Sequence, residues 1–143
     1  MEASELLKRY AAGERDFSGI DLSKADLSWK NLQGIKLHSA NLSETNLIST
    51  DLRATDLSKA NLNCANMRGA DLSGSYLRDT SMVEADLRGA YLSQSKVATW
   101  LVGANLSRAN LSGADLQGLY LHKTQLTDAC FCGARMPNGG FHD

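Results

Sequence analysis

The sequence predicts an all-β solenoid, in which the chain winds into four-sided coils that stack one on another. An apolar residue recurs at every fifth position along nearly all of the 143 residues. The residue two places before it is usually small, and the residue directly before it is usually Asp or Asn. A helix needs apolar residues every three or four positions and a strand needs them every two, so neither explains a period of five.

The apolar residues at this spacing, called centres below, form two runs separated by one short step. The first run is Phe17, Leu22, Leu27, Leu32, Leu37, Leu42, Leu47, Leu52, Leu57, Leu62, Met67, Leu72, Leu77, Met82, Leu87, Leu92 and Val97. The second run is Leu101, Leu106, Leu111, Leu116, Leu121, Leu126, Phe131, Met136 and Phe141. The step from Val97 to Leu101 is four residues, and the sequence leaves open whether a coil lacks one residue or the chain bulges outward.

The residues around each centre predict which side chains face inward. The centre and the small residue two places before it, such as Ala40 or Thr45, point to the axis, and the polar residues face water. Asp, Asn, Ser and Gly favour corners, because short polar side chains bond nearby backbone groups and Gly tolerates a positive φ. Four such sides close a coil of roughly 20 residues, and stacked coils would form a rod of about 30 Å.

The repeats "ADLSW", "ANLSE", "ANLNC", "ADLSG", "ANLSR" and "ANLSG" resemble the A(D/N)LXX motif of the pentapeptide-repeat family. The resemblance covers residues 15–136 and implies a right-handed quadrilateral β-helix of about six to seven coils. We therefore expect a capping helix in residues 1–14, the β-helix in 15–136 with its register break near 97–101, and a tail in 137–143. The resemblance also implies a bacterial protein, since such members are numerous in cyanobacteria.

The two ends of a solenoid expose apolar residues and need caps. Residues 3–12 predict a short amphipathic helix, with Leu6, Leu7, Tyr10 and Ala11 on one face and Gly13 after its end. We interpret this helix as a lid on the first coil, with partner binding as the alternative. At the other end Phe131, Met136 and Phe141 form either a cap or, as in some members of the family, a dimer seam. The chain is then a monomer or a homodimer joined at its C-terminal end.

The charge, the apolar runs and the cysteine number of the chain argue against nucleic-acid binding, a membrane span and secretion. Lys and Arg number 15 against 16 Asp and Glu, so the net charge of −1 argues against direct nucleic-acid binding. No apolar run is long enough to span a membrane. The N-terminus has no apolar signal core and the three cysteines are an odd number, so we expect a cytoplasmic protein.

No constellation in the sequence indicates catalysis, a cofactor or a metal ion. His38, His122 and His142 are scattered, and no nucleophile, base and charge stabiliser come together. Cys130 and Cys132 could be combined with His122 and His142 on paper, but their spacing does not fit a zinc finger. We interpret both cysteines as outward-facing surface thiols.

Departures from the repeat predict where a partner could bind. With one residue removed at the break, one side carries Val83, Trp100, Val102, Tyr120 and His122, where polar residues are expected. Exposed apolar patches of this kind often mark protein interfaces. The alternative is that Trp100 covers the break for structural reasons.

A second set of departures is basic. It consists of Arg53, Arg68, Arg78 and Arg88. Because acidic residues lie close to them, we interpret this surface as a solvated face of mixed charge.

The leading hypothesis is a non-enzymatic protein–protein interaction module or scaffold with an unknown protein partner. The family resemblance supplies the alternative, a DNA-mimicking inhibitor or protector of a type II topoisomerase. A DNA mimic of this length would need roughly 18 negative charges, since duplex DNA carries about one per 1.7 Å. The near-neutral chain therefore disfavours that alternative.

Overall fold

The chain begins with one helix, α1, which spans Ala3–Ala11 in a computed structural model that describes residues 1–97 and 99–142. Leu6 is fully buried, and Leu7 and Tyr10 pack against the core as half-buried side chains. The Tyr10 hydroxyl donates a hydrogen bond to the Gln33 carbonyl at 2.7 Å. The helix therefore covers the first coil, as predicted. The expectation that Ala11 shares the buried face is wrong, because Ala11 is exposed.

Gly13 ends α1 through a positive φ of 101°. The Gly13 N–H donates to the Tyr10 carbonyl at 3.0 Å, and the Glu14 N–H donates to the Arg9 carbonyl at 3.1 Å. This pair of hydrogen bonds is a Schellman motif, which satisfies carbonyls that the last turn of a helix leaves open. The chain leaves it directly into the first coil.

The coils stack through parallel bridges between residues one coil apart, which define four sides of the solenoid. Side 1 contains Asp16, Lys36, Asp56, Tyr76, Lys96, Asp115 and Arg135. Side 2 contains Asp21, Asn41, Asn61, Ser81 and Trp100. Side 3 contains Asp26, Asn46, Asn66, Asp86, Asn105 and Gln125. Side 4 contains Asn31, Asp51, Asp71, Tyr91, Asn110 and Cys130. The only two strands among the described residues, β1 (Thr80–Ser81) and β2 (Thr99–Trp100), pair in parallel on side 2.

Each corner is a tight turn closed by a backbone hydrogen bond. After Leu22, for example, the Ala25 N–H donates to the Leu22 carbonyl at 3.0 Å. The residue two places after the centre has a positive φ at every fifth position from Gly19 to Gln94 and again from Gly103 to Gly133. A positive φ at this position is the mark of a type II turn.

The axis of the solenoid is filled by two kinds of inward side chain. The centres from Phe17 to Leu116 are buried, and so are most of the small residues two places before a centre. Buried threonines also bond the coil below, as when the Thr50 hydroxyl donates to the Leu27 carbonyl at 2.9 Å. The predicted division into inward and outward positions is therefore confirmed from Phe17 to Leu116, whereas the last predicted centre, Phe141, is exposed.

The register break is a coil shortened by one residue. Bridged residues are 20 apart below the break, as in Asn66 and Asp86, and 19 apart across it, as in Asp86 and Asn105. The separation returns to 20 above it, where Asn105 bridges Gln125. Thr99 takes the inward position before Leu101 and is buried. The missing residue therefore lies on the side between Val97 and Leu101, and the rest of the repeat continues.

The C-terminal segment folds back on the last coil. The Met136 N–H donates to the Gly140 carbonyl at 2.6 Å, and Arg135 forms an antiparallel bridge with Phe141. Phe131 and Met136 are half-buried, whereas Phe141 is 76% exposed. The two ends thus differ, because α1 covers the first coil more completely than this segment covers the last.

Candidate functional site

The sequence-predicted patch lies on side 2 beside the shortened coil, and its most exposed members are aromatic. Trp100 is 62% exposed and Tyr120 is 64% exposed. The rings of Tyr120 and His122 stack with their centroids 5.6 Å apart. Val83 and Val102 are half-buried at the next outward position. The structure thus brings all of the predicted patch residues to one side of the solenoid.

The backbone ladder of side 2 is interrupted between Trp100 and Tyr120. Below this point the Met82 N–H donates to the Trp100 carbonyl at 2.8 Å. One coil higher, the corresponding hydrogen bond from Leu101 to Tyr120 is absent from the bonds between described residues. Sides 3, 4 and 1 continue past the same level, for instance through the Leu106 N–H and the Gln125 carbonyl at 2.8 Å. The opening is therefore confined to the side that lost a residue.

A surface cleft of about 210 Å³ occupies this opening. Its walls combine two aromatic rings with a polar rim and the inward Thr99. The lining residues are Asp79, Thr99, Trp100, Gln117, Gly118, Leu119 and Tyr120. Sequence reasoning found the aromatic residues but missed the cleft, because a repeat pattern does not show where two stacked coils part.

The predicted basic residues lie on three different sides. Arg53 is on side 4, Arg78 on side 1, and Arg68 and Arg88 share side 3. Arg78 is 83% exposed, and its guanidinium lies 4.0 Å from Asp79. The four residues therefore do not form one surface.

Two of these arginines bind the acid two places earlier in the chain. The Arg53 Nη2 atom lies 2.7 Å from Asp51, and the Arg88 Nη2 atom lies 2.6 Å from Asp86. Hydrogen bonds from each guanidinium hold the pKa of its Asp partner below the usual value. Both pairs are local features of a corner.

A basic groove of about 340 Å³ nevertheless forms on side 3, and it includes a residue that the sequence did not single out. Arg68, Arg88 and Arg108 line it together with Gly89 and Ser107. Arg108 was missed because it lies two places after its centre, whereas Arg68 and Arg88 lie one place after theirs. A comparison of only those residues that lie one place after a centre therefore does not include Arg108.

The four His and Cys residues that the sequence offers as possible metal ligands are separated by the fold. His122 lies on side 2 against Tyr120, while Cys130 and Cys132 lie on side 4. The His142 ring lies 5.8 Å from the Phe131 ring at the C-terminal end. Within residues 1–97 and 99–142, no group of three or more His, Cys, Asp and Glu side chains could hold a metal ion. In the same residues no helix is long and apolar enough to cross a membrane.

The model of the family Pentapeptide repeats (8 copies) matches the chain three times, at residues 35–74, 55–94 and 101–136. These matches cover more than half of the chain, which therefore belongs to the pentapeptide-repeat family. The matched segments leave out the shortened side between Val97 and Leu101.

Solved structures of the same family resemble the chain over most of its length. The pentapeptide repeat protein Rfr23 from the cyanobacterium Cyanothece 51142 is 27% identical, with 89% of this chain and 93% of that chain covered and a TM-score of 0.59. A pentapeptide repeat protein from Nostoc PCC 7120 is 33% identical, with 87% and 95% covered and a TM-score of 0.34. HetL from Nostoc sp. Strain PCC 7120, involved in heterocyst differentiation regulation, is 25% identical, with 99% and 100% covered and a TM-score of 0.33. No curated protein matches the chain.

The family forms right-handed quadrilateral β-helices, and this chain has that fold. Pentapeptide repeat proteins are generally structural or interaction modules, and this chain falls in the same general class.

Proposed function

We propose that this chain is a non-enzymatic module that binds another protein at side 2, through the patch of Val83, Trp100, Val102, Tyr120 and His122. The observation that carries the proposal is the cleft between Trp100 and Tyr120, with both rings largely in solvent. Most outward side chains of the repeat are small and polar, so the regular sides of the solenoid offer a partner few large apolar groups to bind. Within the described residues, side 2 combines an opening with two exposed aromatic rings among its lining residues.

The chemistry of the cleft favours a partner that inserts an apolar side chain. Trp and Tyr rings bury a large area with few rotatable bonds, and they are enriched among the residues that dominate binding energy. Asp79 and Gln117 at the rim provide polar groups that fix orientation around the apolar contact. The exposure of Trp100 weighs against a purely structural role as a cover, because a cover would bury its ring.

The charge distribution weighs against the topoisomerase alternative. The chain carries a net charge of −1, and side 3 presents Arg68, Arg88 and Arg108 along one groove. A surface that replaces DNA in a basic channel must be strongly acidic, because like charges repel. We therefore keep the protein-binding module as the proposed function.

The test is affinity capture from the native cell extract followed by measured binding to the captured protein. The double variant Trp100→Ser/Val102→Ser places Ser where Ser81 and Ser43 stand in the lower coils of the same side. We expect it to lose at least about tenfold in affinity, since a Trp that dominates an interface contributes about 2 kcal/mol or more and tenfold corresponds to about 1.4 kcal/mol.

The matched control is Trp29→Ser, which removes an aromatic ring that is 75% exposed at a corner away from side 2. Circular dichroism of all three proteins must agree before binding is compared. Equal affinity of the wild type and the double variant for every captured protein would contradict the proposal.

We also propose that a second copy of this chain covers the C-terminal end, which makes the module a homodimer. Leu121, Leu126, Phe131 and Met136 are only half-buried there, and Phe141 is exposed. The corresponding residues at the other end, Phe17 and Leu22, are buried beneath α1. An end-to-end contact between two copies would bury this apolar surface and leave side 2 accessible in both.

A further inference from the structure

The last coil carries a pair of cysteines where the coil below has Asn and Ser. On side 4, Asn110 and Ser112 flank Leu111, and one coil higher Cys130 and Cys132 flank Phe131. In the lower coil the Ser112 N–H donates to the Asn110 side-chain oxygen at 3.0 Å. The repeat therefore places the Cys130 sulfur where an oxygen normally accepts hydrogen bonds. All of these side chains lie on the outer surface.

A hydroxyl from the coil below lies against the Cys130 sulfur. The Ser112 hydroxyl oxygen is 3.3 Å from it, and this hydroxyl can donate to the sulfur once Cys130 is ionised. A thiolate can only accept hydrogen bonds, so an arrangement of donors favours the ionised sulfur over the neutral thiol. The Ser112 hydroxyl, followed by the Cys132 groups, lowers the pKa of Cys130 below its usual value. Cys130 is also exposed, which leaves it accessible to reagents.

The third cysteine, Cys64, lies in an environment that disfavours its thiolate, in contrast to that of Cys130. Cys64 is exposed at a corner, and its sulfur lies 3.8 Å from a Glu84 carboxylate oxygen. Partial burial, together with the charges of Glu84 and Glu44, raises the pKa of Cys64. Exposure alone thus does not distinguish the two sites, whereas the groups around each sulfur do.

We propose that Cys130 is an oxidant-sensitive nucleophile and that Cys132 is its resolving thiol, with hydroperoxides as the class of oxidant. This is a modification site on side 4, separate from the patch on side 2. The proposal rests on the Ser112 hydroxyl 3.3 Å from the Cys130 sulfur, and on the position of Cys132 two residues further along the same exposed side. Redox-sensitive cysteines are typically ionised, accessible and adjacent to a second cysteine.

The reaction takes place in two balanced steps. In the first, the Cys130 thiolate attacks one oxygen of hydrogen peroxide, an S–O bond forms, the O–O bond breaks, and the departing hydroxide takes a proton to become water. In the second, Cys132 loses its proton and attacks the Cys130 sulfenic acid, so that an S–S bond forms and the S–O bond breaks. The departing hydroxide takes that proton and leaves as water. Two thiols lose two electrons and the peroxide gains them.

The first measurement needs no substitution. The native chain is treated with one equivalent of hydrogen peroxide, blocked with iodoacetamide, and digested for mass spectrometry. We expect the peptide that contains Cys130 and Cys132 to lose two hydrogens and escape alkylation, while Cys64 is fully alkylated. In untreated protein at pH 7, Cys130 should react with iodoacetamide at least about tenfold faster than Cys64, because only the thiolate is the nucleophile.

Three variants separate the roles of the two sulfurs. Cys132→Ser should stop the reaction at the sulfenic acid on Cys130, which dimedone traps as a stable adduct. Cys130→Asn should abolish both products. Ser112→Ala should slow alkylation of Cys130 severalfold while Cys64 keeps its rate, which a purely structural role of Ser112 would not produce.

The control is Cys130→Asn/Cys132→Ser, which repeats the polar residues of the coil below and should keep the melting temperature of the wild type. Equal reactivity of Cys64 and Cys130 would overturn the proposal. So would the absence of a dimedone adduct in Cys132→Ser, or a disulfide that joins two chains in place of one within a chain.

Discussion

The residue at each corner of the solenoid adopts a backbone conformation that glycine prefers, yet most corners hold another residue. Ala54 has a φ of 55° and Glu44 has a φ of 58°, both in the left-handed region. An L-residue there is less stable by roughly 1–2 kcal/mol than in the right-handed region. The repeat tolerates this strain because each corner is held by hydrogen bonds to the coils above and below.

A pair of opposite substitutions tests this strain. Gly34 has a φ of 72°, and a Cβ added there would contact no atom within 4 Å, so Gly34→Ala changes the backbone preference without a clash. We expect Gly34→Ala to lower the free energy of unfolding by about 1 kcal/mol.

The reverse change, Ala54→Gly, should raise stability by about 0.5 kcal/mol, because relief of strain exceeds the added entropy of the unfolded chain. Thermal unfolding followed by circular dichroism measures both changes. Two shifts of the same sign would contradict this account.

The repeated element of the fold is a corner in which an Asp or Asn side chain accepts the N–H two residues later. The Ser18 N–H donates to Asp16 at 3.1 Å, and the Ser28 N–H donates to Asp26 at 3.0 Å. The hydroxyls of Ser18 and Ser28 also donate to these carboxylates. Asn31 uses its amide oxygen in the same way towards Gln33, at 3.0 Å. The two residue types are therefore interchangeable in geometry but differ in charge.

This difference predicts how stability depends on pH. Hydrogen bonds from the serine hydroxyls and N–H groups lower the pKa of Asp16 and Asp26 in the folded chain. The unfolded chain therefore binds more protons in acid, and the stabilisation present above the unfolded pKa is lost as pH falls through the folded values.

We expect the variant Asp16→Asn/Asp26→Asn to show a smaller drop in melting temperature between pH 7 and pH 3 than the wild type. Melting curves at the two pH values provide the measurement, and an unchanged drop would show that these carboxylates do not contribute.

The sequence predicted these elements because each corner depends on residues close together in the chain. The period of five was enough to locate the buried centres and the small inward residues, and Gly13 was correctly placed after the helix. The cleft beside Trp100 was beyond prediction, since it depends on one hydrogen bond between coils, from Leu101 to Tyr120, that is absent from the bonds between described residues. The donors around Cys130 escaped notice for a related reason, because Ser112 is a neighbour in space and is 18 residues away in the chain.

The whole molecule is asymmetric along its axis, since α1 covers one end and the other end leaves Phe141 exposed. This asymmetry underlies the proposed homodimer and makes it testable without a partner. We expect sedimentation equilibrium to give twice the chain mass at micromolar concentration, and Phe141→Ser to give a mass near that of one chain, 15.5 kDa. Removal of a large apolar side chain that dominates an interface costs about 2 kcal/mol or more, which is roughly a thirtyfold loss in affinity.

Trp29→Ser is the appropriate comparison, because it also replaces an exposed aromatic ring but lies in a lower coil. The homodimer would be disproved by a wild-type mass of one chain at every concentration.

The shortened coil between Val97 and Leu101 resembles a dislocation in a layered crystal. Bridged residues in the coils below it and in the coils above it are 20 apart, and bridged residues across it are 19 apart. Because the inward residues Val97, Thr99 and Leu101 stay buried across the break, the molecule absorbs the lost residue at its surface, on the side where the two coils separate. A one-residue deletion that would destroy a helix or shift a strand thus leaves this architecture with a local opening. The opening adds a new kind of surface to a chain whose other coils repeat one another.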